Sequence, residues 1–143
     1  MASPPRRAVE SWRSRPWGGG AVVVISNSRI AANSDGVKAN SISGGVTMTV
    51  RESTLANNRG SGINSVSGNL ILLMVDRNTI SNNFQNGVVS SGGNSFVRIN
   101  ASAISGNATG VSSVAGGVLR SYLNNAISGN AVDGTPITAE RLN

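Results

Sequence analysis

The residues of this chain that could do acid–base or electrostatic chemistry are few: Asp35, Asp76, Asp133 and Glu52, with Arg51 and Arg77 close by in sequence. There is no histidine and no cysteine. That removes the usual general base and metal ligand, and every Ser-His or Cys-His pairing. The many serines therefore have no base to activate them. Two carboxylates can still cleave a glycosidic bond when held roughly 5 to 9.5 Å apart. The chemical question is whether the fold brings Asp35 to Asp133, or Asp76 to Glu52.

What positions them is a repeat. The segments SRIAANSDGV, STLANNRGSGI, NTISNNFQNGV, SAISGNATGV and NAISGNAVDGT place apolar anchors at Ile30, Leu55, Ile80, Ile104 and Ile127, spaced 25, 25, 24 and 23 residues apart. A period near 24 means stacked units. Five residues before the anchors stand Ile25, Val50, Val75, Ile99 and Tyr122; seven before them stand Val23, Met48, Leu73 and Val97, a column broken by Arg120 in the last unit. Apolar residues alternating at period two predict a strand with one face buried. A second short strand should carry the anchor, and a third should carry Val37, Ile63, Val88 and Val111. Three short strands separated by bends make one coil.

Three residues after each anchor stands an asparagine: Asn33, Asn58, Asn83, Asn107 and Asn130. Asparagine tolerates left-handed backbone and bonds turn backbone, so the column reads as a corner residue. Stacked at ~4.8 Å, the amides are also expected to bond one another as a ladder. Gly36, Gly62, Gly87, Gly110 and Gly134 follow. They read as corner residues supplying positive φ. None lies between a strand and a helical pattern, which argues against a phosphate cradle. Parallel stacking would set Arg51 beside Asp76 and Glu52 beside Arg77, two exposed cross-coil pairs worth roughly 0.2–1 kcal/mol each.

Units of this length, an isoleucine anchor with asparagine three residues on, a Gly-apolar step and no helical periodicity resemble the right-handed parallel β-helix, the pectin-lyase-like fold. The strings ISNN, ISGN and NNAISGN look like the degenerate parallel β-helix repeats of bacterial surface and secreted proteins. The resemblance covers about residues 21–135. Leucine-rich repeats would need leucines where Ser53, Asn78 and Ser102 stand, and a hexapeptide helix would repeat every six residues. The resemblance implies an all-β solenoid of about five coils. It also implies an extracellular or surface location, whereas the chain as written carries no export signal.

Polysaccharide-cleaving enzymes of the resembled class need clustered carboxylates, or calcium with an arginine base, on one outer face. Asp35 and Asp133 both precede the corner glycine, but lie four coils apart, so ~19 Å separates them. Asp76 and Glu52 already face Arg51 and Arg77, which reads as a surface salt-bridge patch. No catalytic, cofactor-binding or metal-binding residue is therefore expected, and no cofactor.

Composition narrows the rest. The 143 residues are 38% hydrophobic but only 3% aromatic, so the core must be built from small and β-branched side chains in register. Of the net charge of +6, half sits in residues 1–20, where Arg6, Arg7, Arg13 and Arg15 outweigh Glu10. The repeat body has scattered cations with no interleaved aromatics, which argues against nucleic-acid binding. No apolar run approaches the ~18 residues of a membrane span.

Three segments are expected. Residues 1–20 form a basic arm, disordered or arising from a misassigned start, with Trp12 and Trp17 as the argument for a cap; 21–135 are the repeats; 136–143 are a tail. Five coils with poor lids look like a piece of something longer. The expected role is structural or adhesive, or carbohydrate-interacting, without catalysis. A truncated or degenerate polysaccharide lyase or glycoside hydrolase is the rival. The expected partners are a polysaccharide or cell-surface glycan and, through uncovered ends, further copies of the chain.

Overall fold

The fold is that of a computed structural model, which describes residues 19–136, 138 and 139. Trp12, Trp17 and most of the expected arm and tail lie outside the described residues. The first turn comprises β1 (Ala21–Ser26), β2 (Arg29–Ala31) and β3 (Val37–Ser41). The second comprises β4 (Val46–Arg51), β5 (Thr54–Ala56) and β6 (Ile63–Ser67). The third has β7 (Ile71–Asp76), β8 (Thr79–Ser81) and β9 (Asn86–Ser91), and the fourth β10 (Ser95–Asn100), β11 (Ala103–Ser105) and β12 (Thr109–Val114). β13 (Val118–Ser121) and β14 (Ala126–Ile127) begin a fifth turn, whose third strand shrinks to a single bridge between Thr109 and Val132. β15 (Thr138–Ala139) then pairs with β13.

Every pairing is parallel and joins equivalent strands of successive turns, giving three sheets ordered β1-β4-β7-β10-β13-β15, β2-β5-β8-β11-β14 and β3-β6-β9-β12. The chain is thus an all-β solenoid of about four turns, with no helix among the described residues. About five coils were expected; the fifth is only partly formed among the described residues.

The expected files of like residues are present. Ile30, Leu55, Ile80, Ile104 and Ile127 are register partners along the second sheet. Val37, Ile63, Val88 and Val111 are partners along the third. The central anchors Leu55, Ile80 and Ile104 are fully buried. One expectation fails in the last turn. Val97 pairs with Leu119 and Ile99 with Ser121, so neither Arg120 nor Tyr122 stands in the columns assigned to them. The shorter unit loses two residues ahead of β13 and gains one between β13 and the anchor. That slip restores an apolar side chain, Leu119, to the core at 0% exposure.

The asparagine column is a continuous ladder. Asn58 donates from its backbone N and from Nδ2 to Asn83 Oδ1, at 3.1 and 2.8 Å. Asn83 does the same to Asn107 at 3.0 and 2.9 Å, and Asn107 to Asn130 at 3.0 and 2.9 Å. Nδ2 of Asn83, Asn107 and Asn130 also donates to the anchor carbonyls of Leu55, Ile80 and Ile104 one turn back. These asparagines are not the left-handed corners the sequence suggested. Positive φ falls one residue earlier, at Ala32, Asn57, Asn82, Gly106 and Gly129. That residue turns the chain, so that the next one aims its side chain into the coil. At the last turn no sixth asparagine is stacked among the described residues; Asn130 donates N and Nδ2 to Asp133 Oδ1, both at 3.0 Å.

A second ladder runs two residues before the anchors, where sequence reading had noted Ser53, Asn78 and Ser102 only to reject another fold. The N–H of Ser28 donates to Ser53 Oγ, that of Ser53 to Asn78 Oδ1, that of Asn78 to Ser102 Oγ and that of Ser102 to Asn125 Oδ1. Two corners of each turn are thus stitched by side chains as well as by backbone.

The glycine column needs a different reason from the one expected. Gly36, Gly62, Gly87 and Gly110 do not have positive φ; only Gly134 does, at 74°. A Cβ on Gly87 would lie 2.5 Å from Gly110 O, 2.5 Å from Ile104 Cγ2 and 3.0 Å from Asn107 Nδ2. The chain here crosses directly over the ladder of the next turn, and a side chain has no room. In the fifth turn Asp133, not Gly134, takes the glycine's place in register, because Val111 N donates to Asp133 O.

Replacing Asn83 with alanine deletes the two bonds donated by Nδ2 and leaves the buried donors of Asn58 without their acceptor. The expected cost is about 3 kcal/mol in urea unfolding, against under ~1 kcal/mol for exposed Asn33→Ala. Similarly, Gly87→Ala should cost about 2 kcal/mol or more through overpacking. Gly93→Ala meets nothing within 4 Å and should be neutral or slightly stabilising. Equal effects at the two glycines would contradict the close-approach explanation.

Candidate functional site

The carboxylates that sequence reading weighed are separated by the coil as the register dictates. Asp35 lies between β2 and β3 of the first turn, and Asp133 belongs to the fifth turn. Four strand spacings, or ~19 Å, part them. Each also has a structural task. Asp35 accepts from Ser61 N at 2.8 Å and Asn64 Nδ2 at 2.9 Å, while Asp133 caps the asparagine ladder.

The other group does converge. Arg77 Nη2 lies 3.1 Å from Glu52 Oε1 and 3.2 Å from Asp76 Oδ2. Glu52 and Arg77 each precede a member of the second ladder and have φ of 50° and 51°, so both side chains leave the coil at the same corner. The expected Glu52–Arg77 pair forms. The expected Arg51–Asp76 pair does not, although the two residues are register partners. Asp76 turns instead to Arg77 and to Asn100, whose Nδ2 donates to Asp76 Oδ1 at 2.6 Å. Asn124 Nδ2 extends the chain of bonds to Asn100 Oδ1 at 2.8 Å.

A single guanidinium spanning the two carboxylates offsets part of the negative charge a cation would need. Among the described residues no three Asp, Glu, His or Cys side chains group closely enough to hold a metal ion. The Arg77 side chain is also 54% exposed, so solvent screens both pairs.

The depression with convergent side chains lies at a different corner and was not singled out from sequence. The file four residues after the anchors runs Ser34, Arg59, Phe84, Ala108 and Ala131. The left-handed file two residues after them runs Ala32, Asn57, Asn82, Gly106 and Gly129. Both files are large and functional in the second and third turns and small in the fourth and fifth. Between Arg59 with Asn57 and Phe84 with Asn82 opens a depression of about 530 Å³, floored by Asn58 of the ladder.

Phe84 is 78% exposed there, although the chain has only two phenylalanines. Its backbone cannot withdraw, since Phe84 N donates to Asn58 O at 2.9 Å. The coil holds the ring outward. The amides of Asn57 and Asn82 bond to no other described residue, and Arg59 makes no ion pair among them. An exposed ring beside a guanidinium and two amides offers an apolar face, an anion partner and donors and acceptors together. The signal in the sequence was the column itself, where an aromatic replaces Ser, Arg or Ala at an outward corner.

No family model matches the chain, and no characterised protein or solved structure is detectably similar to it.

Millimolar calcium is expected to leave the thermal midpoint unchanged, because Glu52 and Asp76 are held by Arg77. A calcium-dependent rise that disappears in Asp76→Asn would show that this corner binds the cation after all.

Proposed function

We propose that this chain is a non-catalytic right-handed parallel β-helix scaffold, pectin-lyase-like in design, whose role is structural or adhesive and which engages carbohydrate at the Phe84 corner. The reading rests on one observation above the others: a phenyl ring held 78% exposed beside unpaired amides in an open depression. A flat aromatic face stacks on the apolar C–H face of a pyranose ring, while amides bond hydroxyl groups and Arg59 pairs with a carboxylate or sulfate on the sugar. Shallow, open sites of this kind bind weakly one at a time, which suits a surface protein acting through many copies.

Three further considerations support it. A rigid coil places the two corner files at fixed spacing, so the recognition groups are ordered before binding. Right-handedness follows the strong preference of parallel strand crossovers for that hand. A surface or extracellular location fits the ligand class.

A glycan array probed with the 143-residue protein and with Phe84→Ala tests this. The expected result is weak binding to a subset of oligosaccharides, lost by about tenfold or more in the variant, a change of ~1.4 kcal/mol. Arg59→Ala should remove any preference for acidic over neutral sugars. Absence of binding, or binding that Phe84→Ala leaves intact, overturns the assignment. Shortening of the bound oligosaccharide would favour the lyase or hydrolase rival.

A further inference from the structure

The coil begins on three edge strands. β1, β2 and β3 each stand at the end of their sheet, so no described strand lies over the first turn. Side chains pointing into that turn have a stacked neighbour on one side only, and the other side should stay open to water. Ile25 and Ile30 behave so: both are partly exposed, whereas their register partners Val50 and Leu55 are fully buried. Asn33, the first rung of the ladder, is exposed as well, and no described residue donates to its Oδ1. Val23, Val37 and Ala39 do not follow. They are 6%, 5% and 2% exposed, and Val23 is as buried as its partner Met48, one turn further in, at 7%. Part of the first turn is therefore covered by something other than a strand of the coil.

The covered part adjoins the place where the chain enters. Gly20 lies over Gly45, and Ala21 N donates to Gly45 O at 2.8 Å. Residues 1–18 thus arrive at the corner into which β3 runs and out of which β1 runs. Val37 and Ala39 belong to β3 and Val23 to the start of β1, while Ile25, Ile30 and Asn33 lie farther round the coil. Chain beyond Ala139 cannot reach this end. β15 pairs with β13, five strand spacings or ~24 Å from β1, and the four residues after Ala139 extend ~14 Å at most. Eighteen residues joined at the corner itself have ample reach.

We propose that residues 1–18 fold back over the first turn and cap the coil, with Trp12 and Trp17 set on Val23, Val37 and Ala39. The segment holds both tryptophans of a chain that is only 3% aromatic, and large rings cover the most apolar surface for the fewest residues. Arg6, Arg7, Arg13 and Arg15 supply donors for the carbonyls that edge strands leave unpaired. Such a cap closes the end against strand pairing by other chains, as a solenoid requires of its terminal unit. The cap is independent of the carbohydrate reading, since Phe84 stands on the third turn at a different corner.

Tryptophan fluorescence of the 143-residue protein tests the proposal, because both tryptophans lie in the segment. Native emission should lie at shorter wavelength than in urea and resist acrylamide quenching several-fold better. Both differences should vanish in the same urea transition as the circular dichroism of the coil. Position is tested with a nitroxide on a single introduced cysteine, since the chain has none of its own. Asn40 and Val114 are exposed members of one register column, on the first and fourth turns. A label on Asn40→Cys should quench the native emission strongly, and one on Val114→Cys, ~14 Å farther along the coil, only weakly. Tryptophans as accessible in the native protein as in urea overturn the proposal, whether a second copy or nothing at all covers the end. Quenching that is equal from the two labels, or stronger from Val114→Cys, overturns it equally.

Discussion

The asparagine ladder is the constraint from which the rest of this structure follows. Asn83 and Asn107 each accept two bonds from the turn before through Oδ1 and donate to the turn after, while the remaining amide proton reaches the anchor carbonyl one turn back. Three successive asparagines, Asn58, Asn83 and Asn107, are 2% exposed. A buried amide left unpaired costs roughly 1–3 kcal/mol per group, so every turn must set its asparagine directly over the last. Hydrophobic stacking of Leu55, Ile80 and Ile104 would tolerate a small slip; the amides do not.

That alignment dictates the corner. Aiming a side chain into the coil at the ladder position requires the preceding residue to be left-handed, hence Asn57, Asn82, Gly106 and Gly129. Chain leaving the ladder then crosses the next turn so closely that only glycine fits at Gly62, Gly87 and Gly110. Where no further turn lies over the position among the described residues, the requirement lapses: Asp133 takes the glycine's place and its carboxylate ends the ladder. Variation in repeat length is confined to stretches outside these positions, including the residue gained between β13 and its anchor.

Much of this was legible in the residues. Period, strand alternation, the anchor file and the amide ladder depend on side chains repeating at fixed offsets, and repetition in sequence is repetition in space once turns stack in parallel. What misled was local reasoning about single residue types. Asparagine and glycine are both left-handed formers in isolation, so both columns read as positive-φ corners; only the stacked geometry separates an inward amide from a missing Cβ. The serine and asparagine ladder at Ser53, Asn78 and Ser102 was hidden because its members alternate in type. The slip at β13 was invisible because counting from the anchor assumes a constant strand-to-anchor distance. The Phe84 corner was missed for the opposite reason: it is a departure from a column, and the columns were being used to find the coil.

The repeat is broken outward at Phe84 and Arg59, the corner on which the proposed function rests. Both depend on the coil being fixed by its buried amides. The most direct measurement of that claim is hydrogen exchange of side-chain amide protons by NMR. Nδ2 protons of Asn58, Asn83 and Asn107 should be protected to the same degree as the backbone amides of β5, β8 and β11, while those of Asn57 and Asn82, one residue away, exchange freely. Rapid exchange at Asn83 alongside protected backbone amides would contradict the ladder, and with it the account of how the turns are held in register.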